Sequence, residues 1–367
     1  MRQRFAARGA TATNLVLLAV IVMLGVGMAV VWRASLRSGE MDAARTLQQT
    51  IGLTSPVKNR LDARFTDADN DLVADAPTDP AAFVDPDELT FSYVAIDDPS
   101  EFQAAFADFL KYLSTKTGKR VTYLPVTSTE EQLQALRDGR LHVTGLNTGS
   151  VPRAVNVCGF VPVCAMGGTE GAQRYQMEII VPAGSAITAV QDLKGHELTL
   201  TDPGSNSGYK APLVLLNSDF GLKPGDDFLI RNSGGHDESI KGIAAGTYQA
   251  AAVANDVLRR ATASGLITAA QFRSIYKSES FPTAGLGYAH NLKPELTAKI
   301  RDAFATFDWK GTGVERQFAG TGQTRFVTIN YKNDFALVRR IDDAVGLAHR
   351  LSDTPTTKAA SRPADGN

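Results

Sequence analysis

Two short loops carry the side chains best suited to binding an anion. The first, DPGSNSG (202–208), lies between the strand-like segment ELTLTD (197–202) and a helical pattern. Ser205, Asn206 and Ser207 offer hydroxyl and amide donors there, and a helix start adds free backbone N–H groups and the positive end of the helix dipole. The loop can therefore bind phosphate without Lys or Arg. An ordinary capped turn between a strand and a helix uses the same residue types, so that alternative stays open.

The second loop, SGGHDE (233–238), also lies between a strand and a helix. His236 at a helix start is expected to be neutral and to donate one N–H to an anionic oxygen. Asp256 follows the strand QAAAVAN (249–255), at the edge where open α/β sheets bind ligands. It can accept the remaining proton of a monoprotonated oxyanion or bind an amine. A solvated surface histidine and a helix N-cap are the plain alternatives for these two residues.

The chain of 367 residues holds no set of residues typical of catalysis. It contains neither GxSxG nor HExxH, no cysteine lies beside a histidine, and the five histidines are scattered singly. Lys and Arg number 38 and Asp and Glu 39, which leaves a net charge of -1 and no overall basic field to hold nucleic acid. We therefore expect neither an enzyme nor a nucleic-acid-binding protein, and no required cofactor.

Four aspartates alternate in the segment DADNDLVAD. Asp67, Asp69, Asp71 and Asp75 occupy its positions 1, 3, 5 and 9. Alternate carboxylates on a short loop can converge on Ca2+, as they do in EF-hand loops. Leu72 stands where such loops have glycine, and no Glu follows at the twelfth position. A calcium site and a solvated acidic linker therefore both remain open.

The two cysteines, Cys158 and Cys164, are six residues apart in the sequence CGFVPVC. Two cysteines are too few for a zinc ribbon or a disulfide-built scaffold. In an oxidising compartment they would close a short disulfide loop, and a pair of free thiols is the alternative.

An uncharged apolar run covers residues 15–32 and is long enough, at about 1.5 Å per helical residue, to cross a bilayer core of roughly 30 Å. It lacks a small-x-small cleavage site, which favours an uncleaved anchor over a signal peptide. Arg2, Arg4 and Arg8 precede the run, so the N-terminus is expected in the cytoplasm and the rest of the chain outside. Residues 34–88 are interpreted as an acidic stalk or linker, and residues 352–367 as a disordered tail.

Short apolar runs alternate with helical periods from residue 89 onward. FSYVAI (91–96) predicts a strand, and apolar residues recurring through 102–118 predict a helix that ends at Gly118. The same alternation continues to the end of the domain, which is typical of α/β folds with parallel sheets. About 265 residues of this pattern favour two α/β lobes with a ligand between them. The chain is expected to cross between lobes near 179–182 and again within 276–286.

The joined loops resemble a known family. Ser-x-Ser-Gly-Tyr from Ser205 onward, then Pro212, then Gly-Gly-His-Asp-x-Ser-Ile, together with FSYVAIDDPSEF and IIVPAGSAITAVQDLKGHELTLTD, are similar to the phosphate-, phosphite- and phosphonate-binding proteins of ABC transporters. This is a type 2 periplasmic-binding-protein family, and the resemblance covers about residues 89–345. It implies an α/β, two-lobed Venus-flytrap over 89–351, with lobe 1 about 89–180 and 283–351 and lobe 2 about 181–282.

The resemblance also implies an oxyanion held in the cleft without covalent chemistry. On lobe 2 the implied contacts are those already singled out from the loops. On lobe 1 they fall after the second and third strands, and one aromatic precedes the crossover strand. These additional residues are Thr127, Ser128, Thr129, Asn147, Thr148 and Tyr175.

We therefore expect a solute-binding protein of the inner membrane, single-pass, with its C-terminal domain in the periplasm. Its partners would be a small phosphorus oxyanion and the permease of an ABC transporter. A tethered sensor coupled to a membrane signalling partner is one alternative, and an enzyme on the same fold, such as a pyrimidine-precursor synthase, is another.

Overall fold

The computed structural model describes residues 61–94 and 99–345. Two β-sheets, each with helices packed on it, form two lobes. The first sheet has the strand order β12-β4-β11-β3-β1-β2, with β5 paired to β4. Its strands are β1 (Glu88–Tyr93), β2 (Arg120–Tyr123), β3 (Val143–Leu146), β4 (Phe160–Gly168), β5 (Gly171–Ala172), β11 (Gly285–Ala289) and β12 (Arg325–Thr328).

The second sheet has the order β10-β6-β9-β7-β8. Its strands are β6 (Arg174–Pro182), β7 (Glu197–Leu200), β8 (Leu229–Asn232), β9 (Ala250–Ala254) and β10 (Phe272–Pro282). The two-lobed α/β fold predicted from the sequence is thereby confirmed.

Helices follow most strands. In the first lobe they are α1 (Ser100–Thr117), α2 (Thr129–Arg137), α3 (Val151–Cys158), α7 (Pro294–Thr306), α8 (Gly313–Gln317), α9 (Tyr331–Asp334) and α10 (Ala336–Val345). In the second lobe they are α4 (Ala211–Phe220), α5 (His236–Ala244) and α6 (Asn255–Ala263), and a π-helical turn (Asn206–Lys210) leads directly into α4. Short 3-10 turns cover Pro80–Ala82 and Val190–Leu193.

The sheets are mixed rather than parallel throughout. Strands linked by helical crossovers, β1 with β2 and β3 and β7 with β8 and β9, pair in parallel as predicted. The first long strand after each crossing between lobes is antiparallel to its neighbours. β11 lies antiparallel between β3 and β4, and β6 lies antiparallel to β9. A strand that enters a sheet from the other lobe arrives at the cleft edge, so it must run opposite to strands that end there.

An aromatic cluster fills the first lobe. Phe109 stacks on Phe304 at 5.0 Å between ring centroids and meets Phe91 and Phe326 edge-on or tilted at 5.6 and 5.2 Å. Such pairs stabilise beyond the area they bury. This core holds the carboxyl ends of the first-lobe strands, and with them the loops that face the cleft.

Part of the predicted linker belongs to the folded domain. Within 34–88, the segment from residue 61 onward packs on the first lobe: the Asp62 N–H donates to the Asn156 carbonyl at 2.8 Å, and Phe65 meets the His290 ring edge-on at 4.8 Å. Val73 is 6% exposed and joins the main core. The linker prediction was wrong for this stretch because its few apolar side chains are widely spaced and show no periodicity, although Val73 joins the core and Leu61 and Leu72 pack against it.

The predicted anchor at residues 15–32 lies outside the described residues, as does the tail from 352. Within 61–94 and 99–345, no helix combines the length and the apolar character that a membrane span needs.

The structure has no disulfide between Cys158 and Cys164, because both are free and buried. Cys158 ends α3, where its Sγ donates to the Leu133 carbonyl at 3.4 Å. Cys164 lies within β4, four residues beyond the first residue of that strand, or roughly 13 Å along an extended chain. Proximity in sequence was therefore misleading, since a disulfide requires Cα atoms within about 7 Å. Burial raises the pKa of Cys158 to about 12.

We predict that Val73→Ala lowers the free energy of unfolding by about 1 to 3 kcal/mol, because it removes two methyl groups from a packed site. Val84→Ala is the matched control, since Val84 is 36% exposed and its truncation is expected to change stability by less than about 0.5 kcal/mol. Chemical unfolding of both variants measures the difference. Equal stability of the two would mean that residues 61–85 do not contribute to the core.

Candidate functional site

A cleft of about 800 Å³ opens between the lobes, at the ends of strands from both sheets. All eleven ligand-binding residues predicted from the sequence line it. Their role as ligand contacts stays a prediction, while their convergence is a finding. They are Thr127, Ser128, Thr129, Asn147, Thr148, Tyr175, Ser205, Asn206, Ser207, His236 and Asp256.

The loop after β7 starts its helix with a π turn. The Lys210 N–H donates to the Ser205 carbonyl at 3.1 Å, five residues back, and the helix then continues as α4. The Ser205 Oγ accepts from the Gly208 N–H at 3.1 Å, so Ser205 caps the helix. One hydroxyl satisfies only one of the N–H groups that a helix start leaves without internal acceptors. The two alternatives for this loop are therefore compatible: it is a capped turn, and the cap leaves donors facing the cleft.

Asn206 meets residues of both lobes. Its side chain is buried, with 2% of the residue exposed, and Nδ2 donates to the Tyr175 hydroxyl at 3.5 Å. Burial is the main cause that raises the pKa of Tyr175, while hydrogen bonds with Thr148, Asn206 and Ser207 act in the opposite direction. Thr148 in turn donates to the Pro282 carbonyl at 3.0 Å. Tyr175 thus holds the loops of the two lobes together beside the crossover strands.

The tautomer of His236 is fixed by the backbone. The Ala254 N–H donates to His236 Nδ1 at 3.2 Å, so Nδ1 is an acceptor and the neutral ring carries its proton on Nε2. Nε2 lies 3.4 Å from the Ser205 Oγ, at the cleft. Burial lowers the pKa of His236 to about 4, against smaller opposing effects of the Asp256 and Asp237 charges. At neutral pH this residue is therefore an uncharged N–H donor, as the sequence predicts.

The polar side chains of the first-lobe loops form most of their hydrogen bonds within their own lobe. Ser128 caps α2 by accepting from the Glu131 N–H at 3.1 Å, and the Glu131 carboxylate accepts from both the N–H and the hydroxyl of Thr127. Asn147 donates to the Thr129 hydroxyl oxygen at 3.3 Å. Of these three hydroxyls, only that of Thr127 donates in this network, while those of Ser128 and Thr129 accept and keep a proton that is directed at no protein acceptor within it.

Every Lys or Arg that lines the cleft is paired with a carboxylate. Arg153 forms two hydrogen bonds to Glu130 at 2.8 and 3.0 Å, and Arg260 lies 3.3 Å from Asp256. Lys210 lies 2.5 Å from Asp342. Asp256 therefore already has a cationic partner, which sequence reasoning did not foresee. Sequence analysis missed these ion pairs because the two partners of each pair lie on different helical turns or different elements. A motif within one loop does not indicate such a pair.

Three of the four predicted calcium ligands lie together. Carboxylate oxygens of Asp67, Asp69 and Asp71 lie within 4.8 Å of one another, while Asp75 accepts from the Ala68 N–H at 2.8 Å. Leu72 adopts a φ of 71°, the left-handed conformation that glycine usually supplies at this position. Burial, followed by the charges of its neighbouring aspartates, raises the pKa of Asp71. The calcium site stays a prediction.

A family model described as "ABC transporter, phosphonate, periplasmic substrate-binding protein" matches residues 91–334. The chain belongs to this family, and the resemblance found in its sequence is confirmed. Proteins of this family bind solutes and are not enzymes.

Solved structures share the fold at low sequence identity. A protein from Xanthomonas citri bound to chloride ion matches with a TM-score of 0.61 and 15% identity, over 71% of this chain and 99% of that chain. PhnD1 from Prochlorococcus marinus in complex with methylphosphonate gives 0.58 and 16%, over 71% and 99%. A binding protein of an ABC phosphonate transporter from Pseudomonas aeruginosa gives 0.56 and 19%, over 72% and 97%.

We predict that wild-type stability falls as the pH drops from about 6.5 towards 4, partly because of His236. The folded state keeps this imidazole neutral in that range while the unfolded state binds a proton, so protonation favours unfolding. His236→Gln is expected to flatten this part of the pH profile. His142→Gln is a comparison away from the cleft, and it should flatten the profile as well, since burial lowers the pKa of that side chain too. An unchanged profile in His236→Gln, measured by denaturant unfolding between pH 4 and 8, would contradict a half-buried His236 that stays neutral in this range.

If the aspartate loop binds calcium, millimolar Ca2+ is expected to raise the thermal midpoint of the full-length chain, and Asp69→Asn to remove the increase. Asp79→Asn is the control, because Asp79 caps a nearby 3-10 turn and lies outside the cluster. A midpoint that is the same in Ca2+ and in EDTA would leave a solvated acidic loop.

Proposed function

We propose that this protein captures a small phosphorus oxyanion, a phosphonate or its relatives phosphite and phosphate, and delivers it to the permease of an ABC transporter. Membership of the phosphonate-binding family supports the transporter and the class of solute. We further propose that residues 15–32 anchor the chain in the inner membrane with the two lobes in the periplasm, a position that the apolar run and the arginines before it favour.

One helix start in the cleft carries this proposal. Four helices besides α4 begin at the cleft, and each has an acidic residue or a proline in its first turn, which makes its N-terminus less favourable for an anion from solution. Helices α2, α5 and α6 have acidic residues in the first turn: Glu130 and Glu131, Asp237 and Glu238, and Asp256. In α3, Pro152 lacks an N–H, and Asn147 Oδ1 accepts from the N–H of Ser150.

The helix from Asn206 has neither a carboxylate nor a proline in its opening turn. Its partial positive charge is therefore free to bind an anion from solution. Ser205, Ser207 and the Nε2–H of His236 lie around this start, and all are uncharged donors. A tetrahedral oxyanion suits them because its several oxygens can accept from several directions at once.

Capture by closure of the lobes fits the connections between them. The chain passes from the first sheet to the second between Ala172 and Arg174, and returns between Pro282 and Gly285. These two crossings lie side by side, since Phe281 pairs with Tyr175 and Pro282 with Arg174. A narrow pair of neighbouring strands can bend as a hinge, so ligand binding would select a closed form for the permease.

We predict that Ser207→Ala weakens binding of methylphosphonate by roughly 1.5 to 3 kcal/mol, or about ten- to 150-fold, because it removes a hydrogen bond to a charged ligand. Ser205→Ala is expected to weaken binding similarly and also to lower stability by about 0.5 to 2 kcal/mol, since Ser205 caps the helix. Calorimetry with methylphosphonate, phosphite and phosphate measures both effects, with sulfate as the comparison anion.

Thr312→Ala provides the matched control, because Thr312 caps α8 by accepting from the Glu315 N–H and lies outside the cleft. It should lose stability and keep wild-type affinity. Unchanged affinity in both serine variants would remove the helix start from the binding site. Absence of binding by the wild type to all three phosphorus anions would refute the proposed class of ligand.

A further inference from the structure

An ion pair is buried where the two lobes and the C-terminal helix meet. The side chains of Lys210 and Asp342 are 4% and 1% exposed, and Lys210 Nζ lies 2.5 Å from Asp342 Oδ1. The same ammonium group donates to the Gly149 carbonyl at 2.7 Å. One side chain therefore joins three segments that are far apart in the sequence.

Each of these segments has a different place in the fold. Lys210 ends the π turn in the second lobe, three residues after Ser207. Gly149 belongs to the first-lobe loop 147–150 between β3 and α3. Asp342 lies on α10, which packs against α3 of the first lobe and α4 of the second. The ammonium group thus connects the cleft loops of both lobes to a helix that itself spans them.

The two cleft loops are in direct contact at this point. A Cβ atom added to Gly149 would lie 2.5 Å from the Gly204 carbonyl oxygen and 2.8 Å from the Asn206 nitrogen. Only glycine permits this approach. The carbonyl that Lys210 holds is therefore in the peptide that packs against the start of the anion-binding helix, so a shift of Lys210 would move one loop relative to the other.

Stability alone is a poor explanation for this ion pair. Removing two charges from water can cost more free energy than their attraction in the interior recovers, and apolar replacements of similar size are often neutral or stabilising. In addition, Asp342 Oδ2 is buried without a hydrogen-bond partner within the described part of the chain. The pair fixes the relative positions of its segments instead, because an ammonium group with two short hydrogen bonds constrains its partners more strictly than apolar contact does.

We propose that Lys210 is a positioning residue of the anion site, held by Asp342, that sets the 147–150 loop against the 205–207 loop. The effect on ligand affinity rests on the proposed function, whereas the positioning of the two loops by Lys210 does not. It gives α10 a role in binding, since the residue that orients Lys210 belongs to this helix and not to the cleft.

The test separates position from stability with two variants of the full-length chain. Lys210→Met leaves Asp342 buried without its cation, so it should lower the thermal midpoint and weaken methylphosphonate binding by about ten- to a hundredfold. Lys210→Met/Asp342→Leu removes both charges and should recover most of the midpoint without recovering affinity. Wild-type affinity in the double variant would overturn the proposal, because the pair would then serve stability alone.

Lys277→Met is the matched control. Lys277 pairs at 3.4 Å with Glu178, whose side chain is 6% exposed, and neither residue lines the cleft. This variant should lose stability and bind methylphosphonate as the wild type does. Lys277 itself is 55% exposed, so the variant tests the loss of the cation beside a buried carboxylate. Weakened binding in Lys277→Met, to the same degree as in Lys210→Met, would show that any such loss reduces affinity and would overturn a specific role for Lys210.

Hydrogen exchange provides a readout that needs no ligand. Amides of residues 147–153 should exchange faster in the double variant than in the wild type, because the Gly149 carbonyl has lost its donor. Unchanged exchange there would overturn the positioning role. If the wild type binds none of the phosphorus anions, the proposed function fails while the exchange measurement still decides the role of Lys210.

Discussion

The two crossings between the sheets constrain the rest of this structure. Because β6 and β10 pair side by side and β11 enters between β3 and β4, the lobes are joined along one edge, and strand ends from both sheets face the same gap. Loops that end at this gap carry the polar side chains. Tyr175 occupies the crossing itself, where burial of its ring places its hydroxyl among groups from both lobes. The position of the cleft thus follows from chain topology, and only its chemistry depends on the loop sequences.

Neutralised cations give this cleft its electrostatic character. Arg153, Arg260 and Lys210 each have a carboxylate partner, so a bound anion would meet dipoles and not unpaired positive charges. Fixed N–H and O–H donors discriminate by direction, whereas an unpaired surface cation attracts any anion. His236 is uncharged for a different reason: burial lowers its pKa, so the imidazole stays neutral near neutral pH, and the bond from the Ala254 N–H places its one proton on Nε2.

Local sequence predicted most of the positions but few of the partners. The loops at 202–208 and 233–238 were recognisable because glycine, small hydroxyl residues and a following helical period are all local signals, and the structure places both at the cleft. Lys210 and Asp342 are 132 residues apart, and nothing near either one indicates the other. The packed segment at 61–85 escaped prediction for a related reason, since its contacts are single side chains set into a core formed by other elements. The two cysteines show the opposite failure, in which closeness in sequence suggested closeness in space and an extended strand separated them.

Packing beneath the helix that we propose binds the anion keeps one carboxylate position at its N-terminus empty. Gly208 is the third helical residue, the position that Glu131 occupies in α2, where its carboxylate accepts from the N–H and the hydroxyl of Thr127 just before the helix. A Cβ atom at Gly208 would lie 2.0 Å from the Thr201 Oγ1, because the Gly208 carbonyl accepts from the Thr201 N–H and holds the helix against the end of β7. A glutamate at that position would clash with Thr201, so this helix has no carboxylate where α2 has one. The donors that Ser205 leaves unsatisfied destabilise the unliganded protein, and an anion bound there, as proposed, would offset that cost. Ligand binding and folding would then be linked through Gly208, which has no side chain to touch the ligand.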